Sequence, residues 1–592
     1  MNLKTSLRTH TCGELGKKDV NKKIKLCGWL SSRRDHGGVI FIDLRDRYGL
    51  TQIVFDPRFS KNCHKEADSL RREDCIKVHG LVKNRKKDME NKKLKTGEIE
   101  VFISELEVLN KSKVPPIEID DRLVASEDTR LKYRYLDLRR PVMQHNLIMR
   151  ARAAKNVRDF LTKEDFIEIE TPFFVKATPE GARDFIVPSR VNPGKFYALP
   201  QSPQLYKQIL MVAGFDRYFQ LARCMRDEDL RSDRQPEFTQ IDLEMSFVDQ
   251  DDIFKICEGV ANSAVKELTG KETKLPFNRI TYKEAIDKYG VDKPDLRFGL
   301  ELKDVTKIVE NSDFSVFKNV IKDKGIVKCL PVDYNFGRNE LDNLIDFCVK
   351  EGAKGMAWLR IKDQKVEGNI AKFFDDKVQK ELIKESEIKQ GYLFFIADNE
   401  KTTNRILSLL RNKLGKDLKL CKEGEFAFCW VVDFPLFEWN DEEQKWDPAH
   451  HMFTMPKEEF WDVIEKHPEK VIAKCYDLVL NGVELGSGSI RIHRKDIQEK
   501  VMNVVGFSKK EAEKRFGFLN NAFEYGAPVH GGFAFGFDRL VTILLGLEDI
   551  REIIAFPKNK AAQSPMDGSP SEVDEKQLKE LNIKLDILKK KQ

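Results

Sequence analysis

The chain has 592 residues, with 103 Lys and Arg against 97 Asp and Glu, so the formal net charge is only +6. That length exceeds the roughly 250–300 residues one core supports, and three or four domains are expected. No apolar run approaches the ~20 residues needed to span a bilayer, and the opening Met1-Asn2-Leu3-Lys4-Thr5 leads into polar sequence rather than a secretory signal.

The 39 Phe argue against disorder. Eleven cysteines show neither C-x-x-C nor a Cys/His zinc spacing, which predicts reduced thiols and a cytoplasmic protein. A net charge this small means that any polyanionic partner is met by local patches.

Apolar and polar residues alternate in Ile24–Trp29, Val39–Leu44 and Thr51–Phe55, with Gly37-Gly38 and Tyr48-Gly49 between them. Three antiparallel strands with tight turns are predicted. Two more follow at Ile76–Val82 and Glu98–Ile103, and Leu106–Leu109 completes residues 1–110 as a small barrel of OB-fold size or another β-barrel. Residues 111–135, with Pro115-Pro116, read as a hinge, and Leu147, Ile148, Ala151, Ala154, Val157, Phe160 and Leu161 carry helical spacing. Residues 136–287 and 421–557 are two parts of a mixed domain, 288–420 a separate α+β unit between them, and 558–592 a polar tail. In that tail, Leu578, Leu581, Leu585 and Leu588 form a stripe suited to a short amphipathic helix or a disordered end.

Three blocks carry chemistry. Phe166-Ile167-Glu168-Ile169-Glu170-Thr171-Pro172 is a strand ended by proline. Tyr218–Glu228, the polar stretch Asp229–Gln235 and Pro236–Glu244 read as a hairpin around a charged loop. In it Arg226 and Glu228, two apart, share a face. Arginine meets phosphate oxygens bidentately; a solvated β-ribbon is the plain alternative. His530-Gly531-Gly532-Phe533-Ala534-Phe535-Gly536-Phe537-Asp538-Arg539-Leu540 combines glycines with an arginine at the start of an apolar helix. Those glycines permit close backbone approach to a ligand or ease packing.

In this order the blocks resemble the three motifs of class II aminoacyl-tRNA synthetases. Ala177–Phe185, Leu199–Gln208, Arg226–Arg231 and Val483–Arg491 narrow the resemblance to the aspartate enzymes, and Tyr289–Arg297 resembles the insertion of their bacterial type. The resemblance covers about residues 1–557. It implies a multidomain α+β homodimer, with an N-terminal OB-fold that reads the anticodon and an antiparallel-sheet catalytic domain interrupted by an α+β insertion.

The implied reaction joins aspartate to ATP and passes it to the 3′ end of tRNA(Asp). The implied catalytic pair is Arg226 and Arg539, on the α- and γ-phosphates. Further ATP contacts fall on Asp227, Glu228, Gln235, Phe238, Glu484, Gly536, Phe537 and Asp538. Asp477 and Glu484 would hold Mg²⁺, a hard ion that suits carboxylates. Aspartate contacts fall on Glu180, Gln204, Lys207, Arg226, Asp242, His450 and Arg491. His450-His451 matches a mobile loop; neighbouring histidines invite a metal, but adjacent strand positions face opposite ways and no cysteine is near in sequence.

Arg34, Phe41 and Gln52 match anticodon contacts. His36 and Asp88 match positions tied to the choice of tRNA. His36 is the type found where tRNA(Asn) is accepted too, while Asp88 is neither the glycine of relaxed relatives nor the longer side chain of strict ones. Charging of both tRNAs is the expectation. A sibling ligase for asparagine or lysine, and a non-catalytic RNA-binding paralogue, are the alternatives. Arg491 with Lys207 speaks against a cationic substrate.

Overall fold

The computed structural model describes residues 4–177 and 182–587. Glu180 lies outside them. The chain divides into two units, 1–148 with 555–571, and 149–554 with 572–592.

In the first unit, strands Lys23–His36, Val39–Asp46, Gly49–Phe55, Cys75–Asn84 and Ile99–Asn110 close a barrel. The alternation read from sequence is its inside–outside pattern: Ile24, Leu26, Ile40, Ile42, Ile53, Val78 and Val101 fill the interior. Phe41, between two of them, falls on the outer face and is only half-buried. Gly37 and Gly38 have φ of 63° and 77° and join His36 to its cross-strand partner Val39, as a two-residue turn with left-handed residues requires. Closure comes from parallel pairing of Gly49–Phe55 with Ile99–Asn110. The helix Lys61–Ala67, capped by Ser60, follows the third strand; the sequence pattern does not announce it.

The second unit is built on an eight-stranded sheet. Its order is Asn278–Thr281, Phe428–Val432, Cys475–Leu480, Val483–Ile490, His530–Gly536, Glu237–Ser246, Arg217–Met225, Ile167–Glu168. All pairings are antiparallel except at the two edges. The predicted hairpin is present, with Met225 opposite Glu237. Helices Pro141–Lys163 and Gln250–Thr269 contribute Val157, Leu161, Phe254 and Val260 to a core with Trp430, Tyr476 and Phe533 of the sheet. Along Glu237–Ser246 the odd positions Ile241, Leu243 and Met245 enter this core. Period two therefore turns Gln240, Asp242 and Glu244 to the opposite face.

Within the 288–420 stretch, five antiparallel strands take the order Lys303–Asp304, Ile326–Val332, Gly391–Asp398, Ala357–Lys362, Lys365–Glu367. Both faces of this sheet are covered. Helices Arg338–Lys350 and Glu400–Asp417 cover one face, and Ser315–Lys322 and Asp376–Ser386 the other. Among the described residues of the tail only Glu575–Glu580 is helical, and none of it is buried. The predicted stripe is thus broken after its first leucine, and Leu588 lies outside the described residues. No helix among the described residues is long and apolar enough to cross a membrane.

Candidate active site

The sheet face opposite the helical core bears a cavity of about 340 Å³. It gathers Gln204, Lys207, Arg226, Glu228, Gln235, Phe238, Asp242, His450, Glu484, Arg491, Gly536 and Arg539 from sequence positions more than 300 apart.

One end is a buried ionic cluster. Lys207 Nζ donates to Asp242 Oδ1 at 2.7 Å and lies 3.2 Å from Glu244 Oε2. Arg491 donates to Glu244 through Nε at 2.9 Å and Nη2 at 3.2 Å, and to Ser489 Oγ through Nη1 at 2.8 Å. Glu244, which sequence reasoning passed over, is therefore the hub of the cluster and wholly buried. The signal was available: it lies two residues beyond Asp242 on one strand face. Gly532 makes its room, since a Cβ there would stand 1.9 Å from Glu244 Oε2.

Burial alone raises a carboxylate's pKa. At Glu244 burial acts in that sense, but Arg491 and Lys207 outweigh it and hold the group below its ordinary value. At Asp242 burial prevails over Lys207, and the value is raised.

Beside this cluster runs a directed chain of hydrogen bonds. His530 Nδ1 is 2.8 Å from the Pro528 carbonyl, which can only accept, so that nitrogen carries the proton. Burial lowers the pKa of His530 and so favours the neutral ring, in which Nε2 is the acceptor for Gln208 Nε2 at 3.2 Å. Gln208 Oε1 then accepts from Gln204 Nε2 at 3.0 Å. The Gln204 carbonyl oxygen is left as the acceptor end of the chain. Gln208 and His530 were not anticipated, although Gln208 lies one helical turn beyond Gln204 in Gln204–Val212.

The other end is cationic and partly open. Arg226 lies 5.1 Å from the Phe238 ring centroid, and its buried Nε has no hydrogen-bond partner among the described residues. Glu228 accepts from Arg234 at 3.1 Å. Arg539 donates to the Glu484 carbonyl at 2.9 Å and to Asp233 at 3.2 Å.

Two residues assigned to ATP, Phe537 and Asp538, stand otherwise, while a third, Asp227, is exposed. Phe537 belongs to the hydrophobic core, because the helix beginning there turns it inward. Asp538 borders the cavity, but its carboxylate is engaged by Arg150 and by the Thr239 amide. Asp227 pairs through its backbone with Arg183.

Near Glu484, burial and then the neighbouring Asp477 raise the carboxyl pKa. Asp477 is buried, and its Oδ1 has no hydrogen-bond partner among the described residues. Two close carboxylates with an unsatisfied oxygen form a donor set that fits Mg²⁺. His450 follows the strand Lys445–Pro448 instead of lying on it, and both His450 and His451 border the cavity. The strand-based expectation that they face opposite ways does not hold. The fold also supplies a cysteine: the donor atoms of His450, Cys475 and Asp477 lie within 4.8 Å of one another.

On the barrel, Arg34 donates to both Asp43 oxygens at 3.0 and 3.1 Å and to Gln52 Oε1 at 3.4 Å. Gln52 in turn donates to Glu100 at 3.0 Å. His36 lies 6.2 Å from Phe41 between ring centroids. Asp88 is exposed with φ of 71°, a left-handed position that favours glycine and tolerates aspartate. Asp43 and Glu100 were not anticipated; both sit on this polar outer face.

The family model described as tRNA synthetases class II (D, K and N) matches residues 126–560, and the OB-fold nucleic acid binding domain matches 24–109. The chain is 53% identical to an aspartate–tRNA(Asp/Asn) ligase of Desulfatibacillum aliphaticivorans over 98% of each chain. It is 53% identical to one from Treponema denticola over 97% of this chain and 98% of that one. Asparaginyl-tRNA synthetase from Pyrococcus horikoshii superposes with a TM-score of 0.58 at 20% identity, covering 93% of this chain and 97% of that one. An aspartyl-tRNA synthetase described as putative, from Leishmania major Friedlin, gives 0.59 at 19% identity, covering 94% and 96%. At such identities the structures speak for the fold, and the motif order and full-length identity carry the rest: this chain belongs to the class II aminoacyl-tRNA synthetases, within their aspartate–tRNA(Asp/Asn) ligase family.

Proposed function

We propose that the chain activates L-aspartate with ATP and esterifies both tRNA(Asp) and tRNA(Asn). Aspartate's α-carboxylate attacks the α-phosphorus, pyrophosphate leaves, and the tRNA terminal ribose hydroxyl then displaces AMP. The nucleophile is the substrate, so the protein's work is positioning and charge stabilisation. The observation that carries the reading is the Lys207–Glu244–Arg491 cluster. Glu244 takes the Nε–Nη2 edge of Arg491 and Ser489 takes one Nη1 N–H, so one N–H on each of Nη1 and Nη2 is left for the substrate side-chain carboxylate, with Lys207 beside it. A lysine side chain would meet like charge there, and an asparagine amide would meet donor against donor.

The Gln204 carbonyl is oriented to receive the substrate ammonium. Glu180, outside the described residues, is assigned there by motif alone. Asp242 orients Lys207, and His450 closes over the amino acid. Arg226 takes the α-phosphate, and its stacking on Phe238 leaves the other ring face for adenine. Arg539 takes the γ-phosphate, with Glu228, Gln235 and Gly536 around the nucleotide. Asp477 and Glu484 would hold Mg²⁺, which when bound neutralises phosphate charge.

The barrel, residues 1–110, is assigned to the anticodon, with Phe41 stacking on a base and Arg34 and Gln52 bonding to it. Residues 136–287 and 421–557 form the catalytic domain, interrupted by 288–420, and the working form is a cytoplasmic homodimer. The family names of the relatives and His36 beside Phe41 support the acceptance of tRNA(Asn), since an imidazole donates or accepts with its tautomer.

ATP–pyrophosphate exchange with aspartate, asparagine and lysine in separate reactions tests the first step. Exchange with aspartate alone is expected, and exchange with asparagine or lysine instead would overturn it. Charging of tRNA(Asp) and tRNA(Asn) transcripts tests the second; no product with tRNA(Asn) would end the two-tRNA reading.

A further inference from the structure

Beside the cavity stands a donor set in which Cys475, which aspartate activation does not use, joins His450 and Asp477. Cys475 and Asp477 lie two apart on the strand Cys475–Leu480 and share a face. His450 reaches them from its loop: its Nε2 is 3.4 Å from Asp477 Oδ2. The three donor atoms lie within 4.8 Å of one another. Tetrahedral zinc, with bonds of about 2.0–2.3 Å, holds neighbouring donors roughly 3.3–3.7 Å apart. Only a small inward movement is needed, and the loop-borne His450 can supply it. A second observation points the same way: Asp477 Oδ1 is buried without a hydrogen-bond partner among the described residues, yet lies 3.4 Å from His450 Nε2. Cys475 lines the cavity, so an ion arriving from solvent has a path to it.

We propose that a thiophilic divalent cation of the Zn²⁺ type binds between His450 Nε2, Cys475 Sγ and the Asp477 carboxylate and reversibly shuts the enzyme down. The donor chemistry sets the choice of ion. Thiolate and imidazole suit Zn²⁺ and Co²⁺, whereas Mg²⁺ takes oxygen donors. As the bonds to the metal form, Cys475 gives up its S–H proton and His450 its Nε2 proton to solvent. The bound ion draws Asp477 away from Glu484 and pins the loop that carries His450. The site thus competes with the Mg²⁺ position through Asp477 and with aspartate through His450.

The test uses the full-length protein, freed of metal and titrated with Co²⁺ alone. A thiolate-to-cobalt charge-transfer band is expected in the parent, removed by adding Zn²⁺ and missing in Cys475→Ala. In exchange assays with Mg²⁺ in excess, Zn²⁺ should inhibit the parent at concentrations roughly tenfold or more below those needed for Cys475→Ala, as loss of one donor weakens metal binding at least that far. A chelator should restore activity. Cys475→Ala should match the parent in exchange without Zn²⁺; if it does not fold, Cys475→Ser takes its place. No band, an equal band in the variant, or equal zinc sensitivity would overturn the proposal. The cobalt arm reads binding directly, so failure of aspartate activation would leave it standing.

Discussion

Glu244 bridges two cations carried by different elements, Lys207 on the helix Gln204–Val212 and Arg491 just past the strand Val483–Ile490, at 3.2 and 2.9 Å. With Asp242 the cluster holds two acids and two bases, all buried. Removing one member of such a network leaves an uncompensated buried charge, at a cost of about 3–5 kcal/mol. Glu244→Gln should therefore lower both the thermal midpoint and aspartate activation. A variant with the parent's midpoint and exchange rate would show that the bridge is idle.

Arg491→Leu should abolish aspartate-dependent exchange while ATP affinity stays within about twofold, because its contacts are confined to the amino-acid end. Calorimetry with ATP and exchange with aspartate separate the two. Normal exchange would refute the placement of the substrate carboxylate.

Arg226→Ala should stop adenylate formation by removing the phosphate contact, an effect of about 10²–10³ in rate for one preorganised donor. Single-turnover adenylate formation on folded protein is the measurement. A near-parental rate would move the α-phosphate elsewhere.

The hydrogen-bond chain from His530 through Gln208 to Gln204 predicts a selective effect. His530→Phe removes the acceptor that orients Gln208, and the aspartate KM should rise about tenfold, the equivalent of one lost hydrogen bond, with the ATP KM unchanged. His530→Gln, which can still accept, should recover part of the loss. The pH dependence has a fixed sign. Burial holds the folded pKa of His530 below its ordinary value, so the unfolded chain binds the extra proton first, near pH ~6.5. Stability is full above that pH and falls as pH drops below it. Glu244, Arg491 and His493 face the same ring, so the comparison must be parent against His530→Phe, in which the slope should flatten. Equal slopes would remove His530 from the account.

His36→Leu should reduce charging of tRNA(Asn) more than that of tRNA(Asp), because leucine cannot alternate between donor and acceptor. Phe41→Ala should weaken both, since base stacking is worth about 1–3 kcal/mol and is tolerant of sequence. Equal losses for both tRNAs in His36→Leu would assign the discrimination to another residue.

The sequence makes some of this legible and hides the rest for definite reasons. Local period-two alternation reveals the barrel strands and the Arg217–Ser246 hairpin, because it records which face is buried. Asp242 and Arg491 follow from motif order. Glu244 and Gln208 were within reach of the same spacing arguments, at two residues along a strand and four along a helix. The meeting of His450 with Cys475 across a loop, and of Arg150 with Asp538 at a separation of 388 residues, is set by tertiary packing, and no local pattern encodes it. The helix Lys61–Ala67 escaped notice because it is short and mostly polar.

Gly532 carries a consequence for how such a pocket can be altered. The acid at position 244 stands in a hollow left by the neighbouring strand's missing side chain, and even a methyl group there would collide with its oxygen. A side chain at 532 would meet both the carboxylate of Glu244 and the Leu243 carbonyl, so the acid could not keep its place. The amino-acid preference of this pocket thus rests partly on an absence. A survey of charged residues alone would pass over Gly532, which has no side chain to count.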